Sequence, residues 1–118
     1  MLCFTIDDLL TQARRLCPVL FVGMTPVNEQ AMPFSEVLYY THGDQWRYRE
    51  ATRLACMGHN IPYLDVLNLW LGRGEPWWLP LLSGDGLHPN VAGYRALLHD
   101  ILSWDAFQTA VDLPVGLA

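Results

Sequence analysis

Two short apolar runs, alternating with helix-patterned segments, predict an α/β fold whose strands pair in parallel. The runs are residues 19–22 (Val-Leu-Phe-Val), apolar at consecutive positions in the way of a strand covered on both faces, and residues 61–67, largely apolar and read as a second buried strand. The order is helix, strand, helix, strand, long loop, helix. Two strands are too few for a self-sufficient parallel sheet. The expectation is therefore a partial three-layer α/β/α arrangement, with more of the sheet lying upstream of Met1.

The elements follow in order along the chain. Thr5 suits a helix N-cap, with Asp7 and Asp8 in the first turn where the helix dipole favours them. Ile6, Leu9, Leu10, Ala13 and Leu16 then recur at helical spacing, and Pro18 closes the element. The first strand ends at Gly23-Met24-Thr25-Pro26, and an irregular stretch leads to about Phe34. Residues 35–40 read as a short helix. Asp44 is placed to cap a longer one that runs to about Met57, with Tyr48, Ala51 and Ala55 on one face and Gly58 as its stop. The second strand carries Pro62 near its start. Residues 68–84 read as a long loop holding Trp70, Trp77 and Trp78, either an aromatic pocket wall or a lid on the core. The last helix is expected to start near Pro89 as its first helical position. It would bury Val91, Tyr94, Leu97, Leu98, Ile101 and Leu102. The tail after Trp104 is weakly patterned.

Composition narrows the function. Apolar residues make up 52% of the 118, with 20 leucines, five tryptophans and no lysine. Charged residues are 16%, against a usual value of about 25%. Such a chain is not disordered. A domain this small has much surface for its volume, so the apolar excess points to surface that something else covers. The net charge of −5 argues against nucleic acid, and Arg14-Arg15 and Arg47/Arg49/Arg53 read as solvated helix faces. The apolar stretch 77–82 is interrupted by Pro80 and falls far short of the ~18 residues of a membrane span. No signal peptide is read, because Asp7 and Asp8 fall where its apolar core would begin. Cys3, Cys17 and Cys56 are odd in number and irregularly spaced. They read as buried free thiols in a reducing compartment, which makes the expected location cytoplasmic.

The chemistry concentrates in Gly84-Asp85-Gly86-Leu87-His88-Pro89-Asn90, on the loop entering the last helix. Asp85 and His88, three residues apart, can reach each other, and glycines at 84 and 86 allow a tight turn. The carboxylate would then take a hydrogen bond from one ring nitrogen and leave the other as a base, as a nucleophilic hydrolase requires. The same spacing also suits a helix cap that merely shapes the loop. His42, His59, His88 and His99 have no metal-ligand spacing with one another or with cysteine. His42 and His59 read as loop residues. Asp65, late in the second strand, lies either near the site or at a solvated strand end. No glycine-rich phosphate loop is present.

Asp-Gly-Leu-His-Pro-Asn at 85–90, followed by Val-Ala-Gly-Tyr and an amphipathic helix, closely resembles the last motif of the SGNH (GDSL-type) hydrolases. Residues 19–27 resemble a later core strand and its following loop in that family, and residues 61–67 the strand after it. The resemblance spans roughly residues 5–104, and its specific motif is 85–90. It implies a flavodoxin-like fold, with residues 1–118 as the C-terminal part of a single domain. It implies attack by a serine on an ester or acyl carbonyl, with His88 as general base and then acid and Asp85 as its orienter. It implies no metal or organic cofactor.

The departures from the family are as specific as the match. The family's nucleophile lies in a Gly-Asp-Ser motif near the N-terminus, and a Gly and an Asn from two middle motifs complete the oxyanion hole. None of these occurs here. Gly84-Asp85-Gly86 has glycine in the serine's place, and Asn28, Asn60, Asn68 and Asn90 lack the family's surroundings. Ser83 reads as a turn residue, Ser35 as a cap and Ser103 as a helix-end residue. Loss of one oxyanion donor costs ~10²–10³ in rate, and loss of a triad serine about 10⁶. Asp85 and His88 alone are therefore expected to give no activity above that of a surface imidazole. The expected partners are a small ester or acyl substrate once the enzyme is completed, and a complementing N-terminal half. The alternative is a non-catalytic module whose bare strand edge pairs with a partner, for instance in a homodimer.

Overall fold

Thr5 opens the first helix with a reciprocal cap: its hydroxyl accepts from the Asp8 N–H, and the Asp8 carboxylate accepts from the Thr5 N–H, each at 3.2 Å. The computed structural model of the chain describes residues 5–31 and 39–112. Helix α1 (Ile6–Leu16) leads to strand β1 (Phe21–Val22), and helix α2 (His42–Gly58) carries the chain to strand β2 (Tyr63–Leu64). Then come α3 (Val66–Arg73), α4 (Glu75–Trp78), α5 (Val91–Leu102) and α6 (Asp105–Ala110), with short 3-10 turns at Glu29–Ala31 and Leu79–Leu81. The strands pair in parallel, Phe21 opposite Tyr63 and Val22 opposite Leu64. This is an α/β chain with a small parallel sheet, as the alternation of elements predicts.

Strand alternation sends neighbouring side chains to opposite faces, and two cores result. Phe21 and Tyr63, with ring centroids 5.6 Å apart, pack toward Leu10 of α1 and Cys56 of α2. Leu64 turns the other way, toward Val66, Trp70 and Trp78, where Leu97 and Ile101 of α5 close over it. The two-stranded sheet thus has α1 and α2 on one side and α3 to α5 on the other.

Several boundaries differ from the expectation, each for a local reason. Both strands are shorter than the apolar runs. Val22 is 38% exposed rather than buried on both faces, because among the described residues no strand lies beyond β1. The second run breaks at Asp65, whose carboxylate caps the Asn68 N–H, so Val66 and Leu67 begin α3 instead of extending β2. Most of the expected 68–84 loop is therefore helical. Thr41, not Asp44, caps α2: its hydroxyl accepts from the Asp44 N–H at 3.0 Å, which makes Asp44 the third helical residue and His42 the first. Gly58 is still helical, and the left-handed residue that releases the chain is Asn60 (φ 56°). The cap of α5 is Asn90, so Pro89 precedes the helix. Val91, Tyr94, Leu98 and Leu102 of α5 are exposed rather than buried. The tail folds as α6. Of the short helix expected at 35–40, residues 35–38 lie outside the described residues, and Tyr39 and Tyr40 are in no regular element.

Polar links tie the layers together. Arg49 of α2 donates to the Asp65 carboxylate through Nε and Nη2 and stacks on Trp46, 4.3 Å from the ring. Asp100 of α5, buried, accepts from the Trp70 indole at 2.8 Å and from both terminal nitrogens of Arg73 at 2.7 and 3.0 Å. Burial pushes the Asp100 carboxyl up, but the bonds from Arg73 and Trp70 outweigh it, and the net shift is downward.

Candidate active site

The loop between Leu82 and Asn90 is closed at its base by backbone bonds. The Ser83 N–H donates to the His88 carbonyl at 2.8 Å, and the Gly86 N–H to the Ser83 carbonyl at 3.0 Å. Asn90 fastens the far end. Its side chain accepts from the Gly93 N–H and donates to the carbonyls of Pro80 and Leu82. Gly86 has φ +71°, and a Cβ there would lie 2.5 Å from the Ala31 side chain. Only glycine fits that turn. Gly84 has open space around its Cα, so of the two expected glycines only one is required.

Inside this loop Asp85 and His88 meet. The His88 Nδ1–H donates to Asp85 Oδ2 at 2.6 Å. The other carboxylate oxygen accepts from the Leu87 N–H at 2.8 Å, the His88 N–H at 3.0 Å and the Ser83 hydroxyl at 2.8 Å. The His88 ring bond first, then the two backbone bonds and the Ser83 hydroxyl, hold the Asp85 carboxyl far below the usual carboxylate range. A carboxylate that stays ionised fixes the proton on Nδ1, which leaves the lone pair on Nε2. The His88 side chain is exposed and that of Asp85 half-buried.

His88 lines a cleft of about 520 Å³, within the size range of small-ligand sites. Its walls come from Val22 and the residues after β1, from Gln45 and Tyr48 of α2, and from Tyr94 and Leu97 of α5. The cleft is mostly apolar. The tryptophan-rich segment lies elsewhere. Trp70 and Trp78 are buried in the core beneath α5, and Trp77 packs edge-on against Trp70 at 5.2 Å. The lid-like packing applies, and none of the three lines the cleft.

The remaining singled-out residues are placed as follows. Ser83 donates to Asp85 and to the His88 carbonyl (2.9 Å), a turn role. Ser103 is the C-cap of α5, and Ser35 lies outside the described residues. Asp65 is held by Arg49 and does not line the cleft. His59 caps α2 and faces Asp7, while His42 belongs to α2. Arg47, Arg49 and Arg53 each pair with a carboxylate, which leaves no basic patch on that helix. Cys56 is a buried free thiol raised by desolvation, whereas Cys17 is free but exposed, against the expectation. Cys3 lies outside the described residues. Among the described residues, no group of three potential ligands could hold a metal, and no helix is long and apolar enough to cross a membrane.

Sequence reasoning missed Gln45. A glutamine in the first turn of a helix carries no signal of its own, yet this one is 5% exposed and lines the cleft.

The model of the GDSL-like Lipase/Acylhydrolase family fits residues 3–96, which include both Asp85 and His88. No curated protein matches the chain.

Proposed function

The chain belongs to the GDSL-like lipase/acylhydrolase family, and on that premise we propose that it is the Asp/His-bearing C-terminal part of a serine ester hydrolase, residues 1–118 forming part of a single domain. The observation that carries this reading is the 2.6 Å bond from Asp85 to the ring of His88, which lines the cleft. In the proposed reaction His88 Nε2 takes the proton from a serine hydroxyl as it attacks the ester or acyl carbonyl. His88 then returns that proton to the leaving alkoxide. Asp85 keeps the ring in the Nδ1–H tautomer and stabilises the imidazolium. The serine and the oxyanion donors come from a segment outside these residues, in the same polypeptide or a companion one. Ser83 is a poor substitute, since its hydroxyl is engaged by Asp85 and the His88 carbonyl. The free thiols Cys17 and Cys56 favour a cytoplasmic setting.

The test is hydrolysis of p-nitrophenyl acetate. The chain alone is expected to match its His88→Ala variant. Joined to a serine-bearing segment encoded upstream, it should gain activity that His88→Ala removes. Stop codons throughout the upstream sequence, with no neighbouring frame encoding a Gly-Asp-Ser motif, would sink the reading.

A second reading, assembly without catalysis, is favoured by the exposure of Val22 and of the α5 residues Val91, Tyr94, Leu98 and Leu102. It requires a stable dimer indifferent to His88→Ala. A monomer in sedimentation would refute it.

A further inference from the structure

One residue, Val27, is held at both ends of its backbone by side chains from the start of α2. Gln45 accepts from the Val27 N–H at 3.1 Å and donates to the Thr25 carbonyl at 2.8 Å. The His42 Nε2–H donates to the Val27 carbonyl at 2.7 Å. Gln45 and His42 lie one turn apart, on the same face of the helix. The His42 ring is braced edge-on by Trp78, with centroids 5.4 Å apart, and its Nδ1 faces Glu29 at 3.1 Å. Val27 and Pro26 are fully buried, so the segment is clamped rather than laid on the surface.

The clamp continues into the candidate site. The next residue, Asn28, donates its N–H to the Gly86 carbonyl at 2.8 Å. The Asn28 and Ala31 side chains sit against Gly86 so closely that a Cβ there would collide with them. Gly86 stands between Asp85 and the two N–H groups, of Leu87 and His88, that the Asp85 carboxylate accepts. A continuous path of short bonds and contacts thus runs from Gln45 and His42 through Val27 and Asn28 to the turn that sets the Asp85–His88 geometry.

We infer that Gln45, aided by His42, is a positioning residue for the Asp85–His88 pair, acting through the 25–28 segment on the Gly86 turn. The role gains its catalytic meaning from the hydrolase reading above, but the geometry it concerns can be tested without activity. The readout is the tautomer of His88, since the partner of one ring nitrogen decides where the proton sits. Two-bond ¹H–¹⁵N spectra of the full chain at alkaline pH distinguish Nδ1–H from Nε2–H. The wild type should show the Nδ1–H pattern.

Gln45→Met keeps the volume and removes both hydrogen bonds. It should shift His88 toward an averaged or Nε2–H pattern while the near-ultraviolet circular dichroism of the tryptophan core persists. Asp100→Asn disturbs the core beneath α5 without touching the clamp, and it should leave the His88 pattern unchanged. His42→Phe keeps the ring on Trp78 and removes one donor to Val27, so it should move His88 in the same direction by less. A folded Gln45→Met with the wild-type pattern would overturn the inference, as would an equal shift in Asp100→Asn. If Gln45→Met does not fold, the wild-type pattern in His42→Phe overturns it. A shifted tautomer in a protein that gains no esterase activity on completion would refute the hydrolase reading and leave the positioning role standing.

Discussion

Asp85 touches His88 twice, at the backbone N–H through Oδ1 (3.0 Å) and at the ring through Oδ2 (2.6 Å). The two roles an Asp-x-x-His spacing can have, capping a turn and orienting an imidazole, are performed here by one carboxylate at the same time. Each supports the other, because the backbone bond fixes where Oδ2 points and the ring bond keeps the carboxylate ionised.

That arrangement makes the loop acid-sensitive. The Asp85 carboxyl is held well below its unfolded value, so its stabilisation is fully present above that value, about 3.9. It is lost as pH falls below it. Asp85→Asn removes the titration but keeps an oxygen for the backbone N–H groups. Urea midpoints followed from neutral toward about pH 2 should fall more steeply for the wild type than for Asp85→Asn. Parallel slopes would contradict the assignment.

The turn itself separates its two glycines. Gly86→Ala forces a Cβ into the Ala31 side chain at φ +71° and should cost about 1–3 kcal/mol. Gly84→Ala meets nothing within 4 Å and should change stability by less than about 0.5 kcal/mol. Chemical denaturation of the two variants side by side reads the difference, and equal losses would mean that the Gly86 turn is not set as described.

What was legible in the sequence is what depends on short separations. Asp85 and His88 are three residues apart on one loop, so their contact could be read directly. The βα alternation and the parallel sheet followed from consecutive apolar runs. The run 61–67 was misread as strand throughout because a short apolar stretch does not distinguish strand from buried helix, and Asp65 acts as a cap only because Asn68 turns back onto it. The exposed face of α5 was misread because helical spacing marks an apolar stripe without saying whether these residues cover it. The long-range links, Trp70 to Asp100 and Gln45 to Val27, left no local trace. Each joins ordinary-looking residues 30 and 18 positions apart.

The Trp70–Asp100–Arg73 network should matter to stability and not to the site. Arg73→Met leaves the buried Asp100 with the indole alone. The expected loss is about 1–3 kcal/mol, less than for a fully buried pair because Arg73 is about a third exposed. The net downward shift of Asp100 places this contribution above the ordinary carboxylate range, so the wild-type advantage over Arg73→Met should shrink as pH falls below about 4. Thermal unfolding at two pH values measures both. A constant difference would mean that the carboxylate is not the group Arg73 serves.

The open side of β1 gives the last prediction. Alternation along the strand turns the Phe21 and Gly23 N–H groups toward β2, where they donate to the Pro62 and Leu64 carbonyls. The backbone groups of Val22 therefore face the other way. Helix α5 presents a second exposed apolar face, Val91, Tyr94, Leu98 and Leu102 at spacings of three, four and four residues. Both side chains are exposed in the isolated chain, Val22 at 38% and Leu98 at 53%. Val22→Lys and Leu98→Glu should therefore leave its unfolding free energy within about 0.5 kcal/mol of wild type. If these two places are where the rest of the fold packs, the same two variants should abolish complementation by a serine-bearing segment. Leu16→Lys, on a still more exposed residue of α1, should not. Sedimentation and ester hydrolysis on the completed protein give independent measures of the loss. Full complementation by Val22→Lys would show that the serine-bearing segment adds no strand to β1.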